Sequence, residues 1–507
     1  MSATATATNA SPATSANVIP FAESAARVSS RDTRPLRLIT CGSVDDGKST
    51  LIGRLLWDTK AVKEDQAATL ARDSGSQNDL GLPDFALLLD GLQAEREQGI
   101  TIDVAYRYFS TDRRSFIVAD TPGHEQYTRN MVTGASTADL AILLADARAG
   151  LLEQTRRHAT IAALMGIKQF VLAVNKIDLI DYDKAVFEKI AAEFREFALA
   201  LGVRQITAIP MSALKGENVV LAGGQAMPWY DGPTLIEALE LATTRSTQAG
   251  GFRLPVQRVV RPGESFRGYQ GTVAGGSIKP GDSIAILPSG TVANVKQIVT
   301  FDLVRNAAVA GDAITLVLDR QVDVARGDVI VSIDNQPMTG TAFDAQIVAL
   351  QPGGIEPGKR YWLKSGSRRQ RVVVEPLSQL DLQTGQWKPH ASAFGMNAIG
   401  KAHLAFEEQA VFDTYEQNRS TGAFILIDPD SLNTVAGGMI TAKRAELGGI
   451  HRDRDGDRQR VVLSLPADLA EQLMTSELFA SRRDEADIRR MTASEAAEIF
   501  KDVGSGI

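Results

Sequence analysis

Eight residues, Gly42-Ser43-Val44-Asp45-Asp46-Gly47-Lys48-Ser49, stand between an apolar run at 36–41 and a helix-period stretch at 50–56. A loop with glycines in these places turns so that successive backbone N–H groups point inward. The helix that follows adds its partial positive charge, and together they cradle phosphate oxygens. Lys48 supplies a point charge for β and γ phosphates, and the Ser49 hydroxyl, next to Thr50, can ligate Mg²⁺. Such a loop works only where a strand feeds a helix, so it commits this part of the chain to an α/β sheet.

The surrounding pattern agrees. Apolar runs at 36–41, 116–119, 140–145, 170–174 and 206–210 alternate with helix-period stretches at 50–56, 153–165 and 184–201. Near-continuous apolar strands between amphipathic helices imply a mostly parallel sheet covered on both faces, over residues 35–248. Near Gly250 the texture changes to short alternating strands separated by Gly and Pro turns, which predicts two antiparallel β-barrels, at 249–341 and 342–445. Residues 446–507 read as a short mixed and helical extension, with a solvated loop at 452–460 and helical charge patterning at 480–500. The Ala/Ser/Thr-rich residues 1–34 read as a flexible tail rather than a targeting segment.

Composition narrows the setting. At 507 residues the chain has room for three or more domains of about 100–200 residues. A net charge of −7 argues against a strongly basic nucleic-acid binder. Cys41 is the only cysteine, so no internal disulfide or Cys-rich metal site can form, which suits a reducing cytoplasm. The longest apolar runs fall far short of the roughly 20 residues that span a bilayer, so no membrane association is expected.

Three further segments specify the nucleotide. Asn175-Lys176-Ile177-Asp178 follows the run at 170–174. A carboxylate only accepts hydrogen bonds, so Asp178 suits the side-by-side N1–H and amine of guanine and repels the N1 acceptor of adenine. Asn175 can tie this turn to the phosphate loop, the Lys176 stem can cover the ring face, and Ser212-Ala213-Leu214 places a backbone N–H near the guanine carbonyl. Asp120-Thr121-Pro122-Gly123-His124 follows the run at 116–119: Asp120 can hold Mg²⁺ through water, the Gly123 N–H can touch the γ-phosphate, and His124 can orient the attacking water. Thr101, in the polar stretch 95–103, is the hydroxyl that could close over Mg²⁺ and the γ-phosphate. The four pieces read as a GTP hydrolase with Lys48, Thr101 and His124 at its catalytic centre. His158, His390, His403 and His451 are expected to be surface or satisfied core residues, Cys41 a small core residue, and Trp57, Trp229, Trp362 and Trp387 packing residues.

These motifs, over roughly residues 36–442, resemble the translation-factor class of GTPases: a GTPase domain followed by two β-barrels. The stretch 87–101 is similar to that of elongation factors that deliver aminoacyl-tRNA. That group usually has histidines where this chain has Ser43 and Asp46. The string 42–56, the string 120–131 and the region 418–428 look instead like the GTPase large subunit of bacterial sulfate adenylyltransferases. That resemblance implies GTP and Mg²⁺ as bound species, and a smaller catalytic subunit that binds ATP and sulfate in a hetero-oligomer. GTP hydrolysis would drive formation of adenosine 5′-phosphosulfate and pyrophosphate, the first step of sulfate assimilation. Consistent with that division, the chain has neither a Ser-Gly-Gly-x-Asp-Ser loop nor a His-x-Gly-His motif, and no second phosphate loop for a fused kinase is expected. The alternative is an elongation-factor-like carrier of aminoacyl-tRNA, which should bind tRNA at moderate salt.

Overall fold

A computed structural model describes residues 34–62, 83–88, 104–122, 128–244, 250–263, 266–301, 303–381, 386–389, 391, 393–444, 451–455 and 458–462. The first sheet contains β1 (Leu36–Cys41), β2 (Ala105–Ser110), β3 (Ser115–Asp120), β4 (Leu140–Asp146), β5 (Gln169–Asn175) and β6 (Gln205–Pro210), in the order β2-β3-β1-β4-β5-β6. All neighbours are parallel except β2, an edge strand antiparallel to β3. Strand β1 has β3 on one side and β4 on the other, so the strand order reverses there. Ligands of open α/β sheets bind beyond the carboxyl ends of strands at such a reversal.

Alternate residues of β4 show why the strand had to be apolar throughout. Leu140, Ile142 and Leu144 join one core with Leu51, Ile52 and Leu55 of α1 (Lys48–Asp58). Ala141, Leu143 and Ala145 join the other, with residues of α2 (Thr128–Thr137), α3 (Glu153–Leu164) and α4 (Lys184–Ala200). The last helix of this unit, α5 (Leu235–Leu241), packs beside α1 and begins with a capping box in which Thr234 and Glu237 satisfy each other's backbone N–H.

Beyond it, eight strands between Arg253–Pro255 and Val329–Ser332 form an antiparallel sheet. Seven more, from Met338–Ala349 to Thr434–Lys443, form the next. In this last sheet the strand Arg360–Ser365 pairs with both Arg368–Leu380 and Ala423–Ile427, which closes six of the seven strands into a barrel and leaves Trp387–Pro389 paired only to Arg368–Leu380. The α/β sheet followed by antiparallel β units is the architecture that the sequence predicts.

Two local readings are corrected. Residues 452–460 are not a loop: His451–Asp455 and Arg458–Val462 pair as antiparallel strands. Their register sets Asp453 opposite Arg460 and Asp455 opposite Arg458. Trp362 is half-buried, but it is not purely a packing residue: the Arg369 and Arg371 guanidiniums lie 4.3 and 5.1 Å from its ring centroid, brought there by strand pairing rather than by sequence proximity. The helical patterning expected at 480–500 lies outside the described residues.

The barrel is fastened to both of its neighbours. The second core of the α/β unit continues into it through Val348, Leu350, Leu380, Ile399, Tyr415 and Met439. The Tyr415 hydroxyl donates to the Met165 carbonyl at 3.2 Å, and Arg419 donates to Ser136 O at the end of α2 at 3.2 Å. On its other side Arg253 and Asp413 form a buried ion pair at 2.9 Å, completed by Thr421 donating to Asp413 at 2.6 Å and Arg253 donating to the Asn335 carbonyl at 2.6 Å. Asp413→Ala would leave the guanidinium buried without its counter-charge, a loss of about 3–5 kcal/mol. A lowered thermal midpoint checks this, and a midpoint unchanged from wild type would contradict it.

Candidate nucleotide-binding site

The phosphate loop leaves the carboxyl end of β1 and enters α1 through Gly47, whose φ of +93° lies in the left-handed region. A Cβ there would sit 2.4 Å from the Asn175 side-chain nitrogen, so both conformation and space demand glycine. Asp45 is also left-handed, at φ +68°. Val44 and Asp45 are exposed on the outside of the turn, whereas Ser43, Asp46 and Lys48 are buried. Lys48 Nζ donates to the carbonyls of Gly42 at 3.1 Å and Ser43 at 2.7 Å. Burial pushes its ammonium below the usual lysine range, while Asp46 and Asp120 pull it back up. Beneath the loop the Asp46 carboxylate accepts from the Ser43 N–H, and burial raises its carboxyl above the ordinary value.

The base-reading turn begins where β5 ends. Asn175 donates from Nδ2 to the Asp46 carbonyl at 2.8 Å and accepts at Oδ1 from the Ala213 N–H at 2.9 Å. One amide thus joins three loops. Of the segment 212–214, expected from the sequence to bring a backbone N–H near a guanine carbonyl, the Ala213 N–H is committed to Asn175 in this arrangement. Lys176 is left-handed at φ +60°, and its Nζ donates to the Asp45 carbonyl and lies 3.1 Å from Asp146 Oδ2, which draws its stem across the loop. Ile177 is buried beneath, and Asp178 opens the short turn Ile177–Ile180 with Oδ2 at 3.7 Å from Lys215 Nζ. Ser212 is buried and accepts at Oγ from the Lys215 N–H at 3.2 Å, whereas Leu214 is exposed.

At the end of β3, Asp120 is buried with the Thr40 hydroxyl 3.5 Å from Oδ1, and Thr121 donates to the Thr40 carbonyl at 2.7 Å. Pro122 continues this turn. Helix α2 packs closely beneath: a Cβ on Gly134 would lie 2.8 Å from the Thr121 methyl. Ser49 and Thr50 are partly exposed in the first turn of α1. The four segments meet along one edge of the sheet, beyond the carboxyl ends of β1, β3, β5 and β6. Thr101, Gly123 and His124 lie outside the described residues.

Two residues border this site: Asp146, which sequence reading passed over, and His158, which is the satisfied core histidine the sequence predicts. Asp146, at the end of β4, receives Arg148 at 2.6 Å and Lys176 at 3.1 Å. Burial alone would raise its carboxyl, but these hydrogen bonds hold it down at about 2. His158 on α3 is buried, and its Nδ1 accepts the Gly42 N–H at 3.2 Å. The available signal was periodic: Thr155, His158, Ala159 and Ala162 share the buried face of α3, where a polar ring requires a partner. Cys41 is buried in β1, where desolvation pushes its thiol up to about 12, so it is an inert part of the core.

The chain matches two domain families: the elongation factor Tu GTP binding domain over residues 33–245 and the GTP-eEF1A C-terminal domain-like family over residues 342–441. Among curated proteins, sulfate adenylyltransferase subunit 1 of Rhizobium rhizogenes is 79% identical over 98% of this chain and 99% of that protein. Its counterpart from Rhizobium meliloti is 81% identical over 93% and 94% of the two chains. The bifunctional enzyme NodQ of a Rhizobium species is 51% identical over 81% of this chain, which spans 64% of that longer protein. Identity of this degree across almost the whole length of both chains places this protein in the sulfate adenylyltransferase subunit 1 family.

Proposed function

We propose that this chain is the GTP-hydrolysing subunit of a sulfate adenylyltransferase, and that its GTP turnover drives a smaller catalytic subunit that binds ATP and sulfate. Asn175 carries the reading. By holding the phosphate loop at Asp46 and the third loop at Ala213, it fixes Asp178 and Lys48 at the two ends of one site, which supports a bound guanosine nucleotide. In this reading Asp178 accepts from N1–H and the exocyclic amine of guanine. Later residues of the loop, within 44–50, donate backbone N–H groups to phosphate oxygens, and Lys48 turns from its carbonyl partners to the β and γ phosphates.

The donor set for the metal is sparse. Ser49 supplies a hydroxyl, Thr101 a second, and Asp120 a carboxylate acting through water; among the described residues no cluster of three His, Cys, Asp or Glu offers a ready-made cage. That suits Mg²⁺, which keeps several waters and relies on substrate phosphates. When bound it would neutralise charge developing on the transferred phosphoryl group. Gly123 senses the γ-phosphate and His124 orients the attacking water.

Coupling requires GTP and GDP states to present different surfaces to the partner. Helix α2 is placed for this. It follows the segment carrying Gly123 and His124, and Arg129 and Ser136 touch the third sheet through Leu350 and Arg419. On the partner, a sulfate oxygen bonds to the α-phosphorus of ATP as the bond to pyrophosphate breaks. The product anhydride is high in energy, so the step needs the hydrolysis. The cytoplasm is the proposed compartment; no helix among the described residues is long and apolar enough to cross a membrane.

The test is GTP hydrolysis by the purified two-subunit complex, with and without ATP plus sulfate. The expected result is stimulation by the pair together, with adenosine 5′-phosphosulfate and pyrophosphate appearing in step. Unchanged hydrolysis, with an active partner present, overturns the coupling and favours a carrier that binds tRNA at moderate salt.

A further inference from the structure

We infer that His158, a residue in contact with neither nucleotide nor metal in the proposed arrangement, is a positioning residue that sets the first peptide of the phosphate loop from below. The inference rests on reading residues 42–49 as a triphosphate cradle. His158 is 2% exposed, and it reaches Gly42 from α3, 116 positions along the chain. Its Nδ1 accepts the Gly42 N–H at 3.2 Å, while Lys48 Nζ donates to the carbonyl of the same glycine at 3.1 Å. The next N–H, that of Ser43, is accepted by the Asp46 carboxylate. The two amides that open the loop therefore face inward onto buried acceptors.

The division of amides matters. A phosphate cradle needs the later N–H groups of the loop to point into its concavity, away from the buried acceptors beneath, and the turn holds that orientation only if its first peptide is pinned. An imidazole acts as an acceptor here only while neutral. With Nδ1 accepting, the ring proton sits on Nε2, 3.0 Å from the Gln154 amide, so Gln154 must present its oxygen there. Burial, reinforced by the Lys48 charge, lowers the ring to about 3, so the acceptor persists across the physiological range. Lys48 thus serves both its own carbonyl contacts and the neutrality of the ring beneath it.

Two substitutions separate an acceptor from a space-filler. His158→Phe keeps a ring of similar size and removes the acceptor. His158→Asn removes the ring and keeps an oxygen at the same number of bonds from the backbone as Nδ1. Affinity is read in the full-length chain with N-methylanthraniloyl GDP and GTP, alongside KM and kcat for GTP hydrolysis by the complex. Leaving the Gly42 N–H unpaired is expected to weaken nucleotide binding about tenfold or more in the Phe variant, with His158→Asn within about threefold of wild type. The loss should fall on affinity and KM more than on kcat, because His158 touches no reacting atom. A Phe variant that binds as wild type does, or an Asn variant that falls as far as Phe or further, overturns the proposal. Absence of nucleotide binding by the wild-type chain would instead overturn the GTPase reading itself.

Discussion

Lys48→Ala should reduce GTP turnover by on the order of 10²–10³-fold, the size of effect seen when one preorganised charge-stabilising donor is removed, while the protein stays at least as stable as wild type. Lys48 is 7% exposed, and its ammonium meets only the Gly42 and Ser43 carbonyls at hydrogen-bond distance among the described residues. A desolvated cation whose hydrogen-bond contacts are carbonyls, with Asp46 and Asp120 offsetting only part of its burial, is an unfavourable element of the fold. Burying an ion without a close counter-charge costs several kcal/mol in practice, which is why burial drives its ammonium downward. The triphosphate supplies the missing anion. Removing Lys48 therefore relieves a cost in the free protein and removes stabilisation from the bound one, the trade between stability and activity common at functional sites. Two measurements decide it: single-turnover GTP hydrolysis and the thermal midpoint without nucleotide. Turnover near wild type would show that Lys48 does not face the phosphates. Lost turnover with a sharply lower midpoint would show that the lysine is structural.

The parts of this molecule that are legible in its sequence are those in which a local pattern and a global requirement coincide. Strand β1 is legible at 36–41 because a strand covered on both faces is nearly continuously apolar, broken here only by the exposed Arg37 and by Thr40, and β4 and β5 are legible for the same reason. The edge strand β2 escaped that reading, since Tyr106 and Tyr108 stand exposed along it and it borders no second parallel neighbour. Helix α2 has a different difficulty: Gly134 is there for close approach to Thr121, and a glycine inside a helix argues locally against one. The paired strands at 451–455 and 458–462 lack an alternating apolar pattern in sequence, so an apolar-pattern reading takes them for a loop. The site divides along the same line. Gly47 and Asn175 make contacts their motif implies, and the roles proposed for Lys48 and Asp178 follow from the motif. The role of His158 depends on a glycine 116 residues earlier, and that of Asp146 on Arg148 and Lys176 meeting it from different segments. No local pattern encodes such meetings, and only the fold brings them about.

Asp178→Asn should invert the choice of base rather than simply weaken binding. In the proposed site the carboxylate accepts two charge-assisted hydrogen bonds, from guanine N1–H and the exocyclic amine, each of about 1.5–3 kcal/mol. An asparagine oxygen can still accept from N1–H, but its NH₂ group then confronts the guanine amine, donor against donor. Xanthine replaces that amine with a carbonyl, which the amide can satisfy. Losing one bond and gaining a mismatch at the other should shift the ratio of GTP to xanthosine triphosphate affinity by on the order of 10²–10⁴-fold. The surroundings favour a clean exchange. Asp178 sits in a short turn over the buried Ile177, its nearest cation is Lys215 at 3.7 Å, and Asn175 holds that turn to the phosphate loop without using Asp178. The isosteric amide therefore changes the hydrogen-bond code and leaves the frame intact. Competition between the two triphosphates for N-methylanthraniloyl GDP gives the ratio directly. If the variant still prefers GTP as strongly as wild type does, the base is read by another group. If it loses both triphosphates equally, Asp178 supports the turn and does not discriminate. If it gains the xanthine nucleotide while Lys48→Ala loses both nucleotides, the base end and the phosphate end of one site have been separated by mutation.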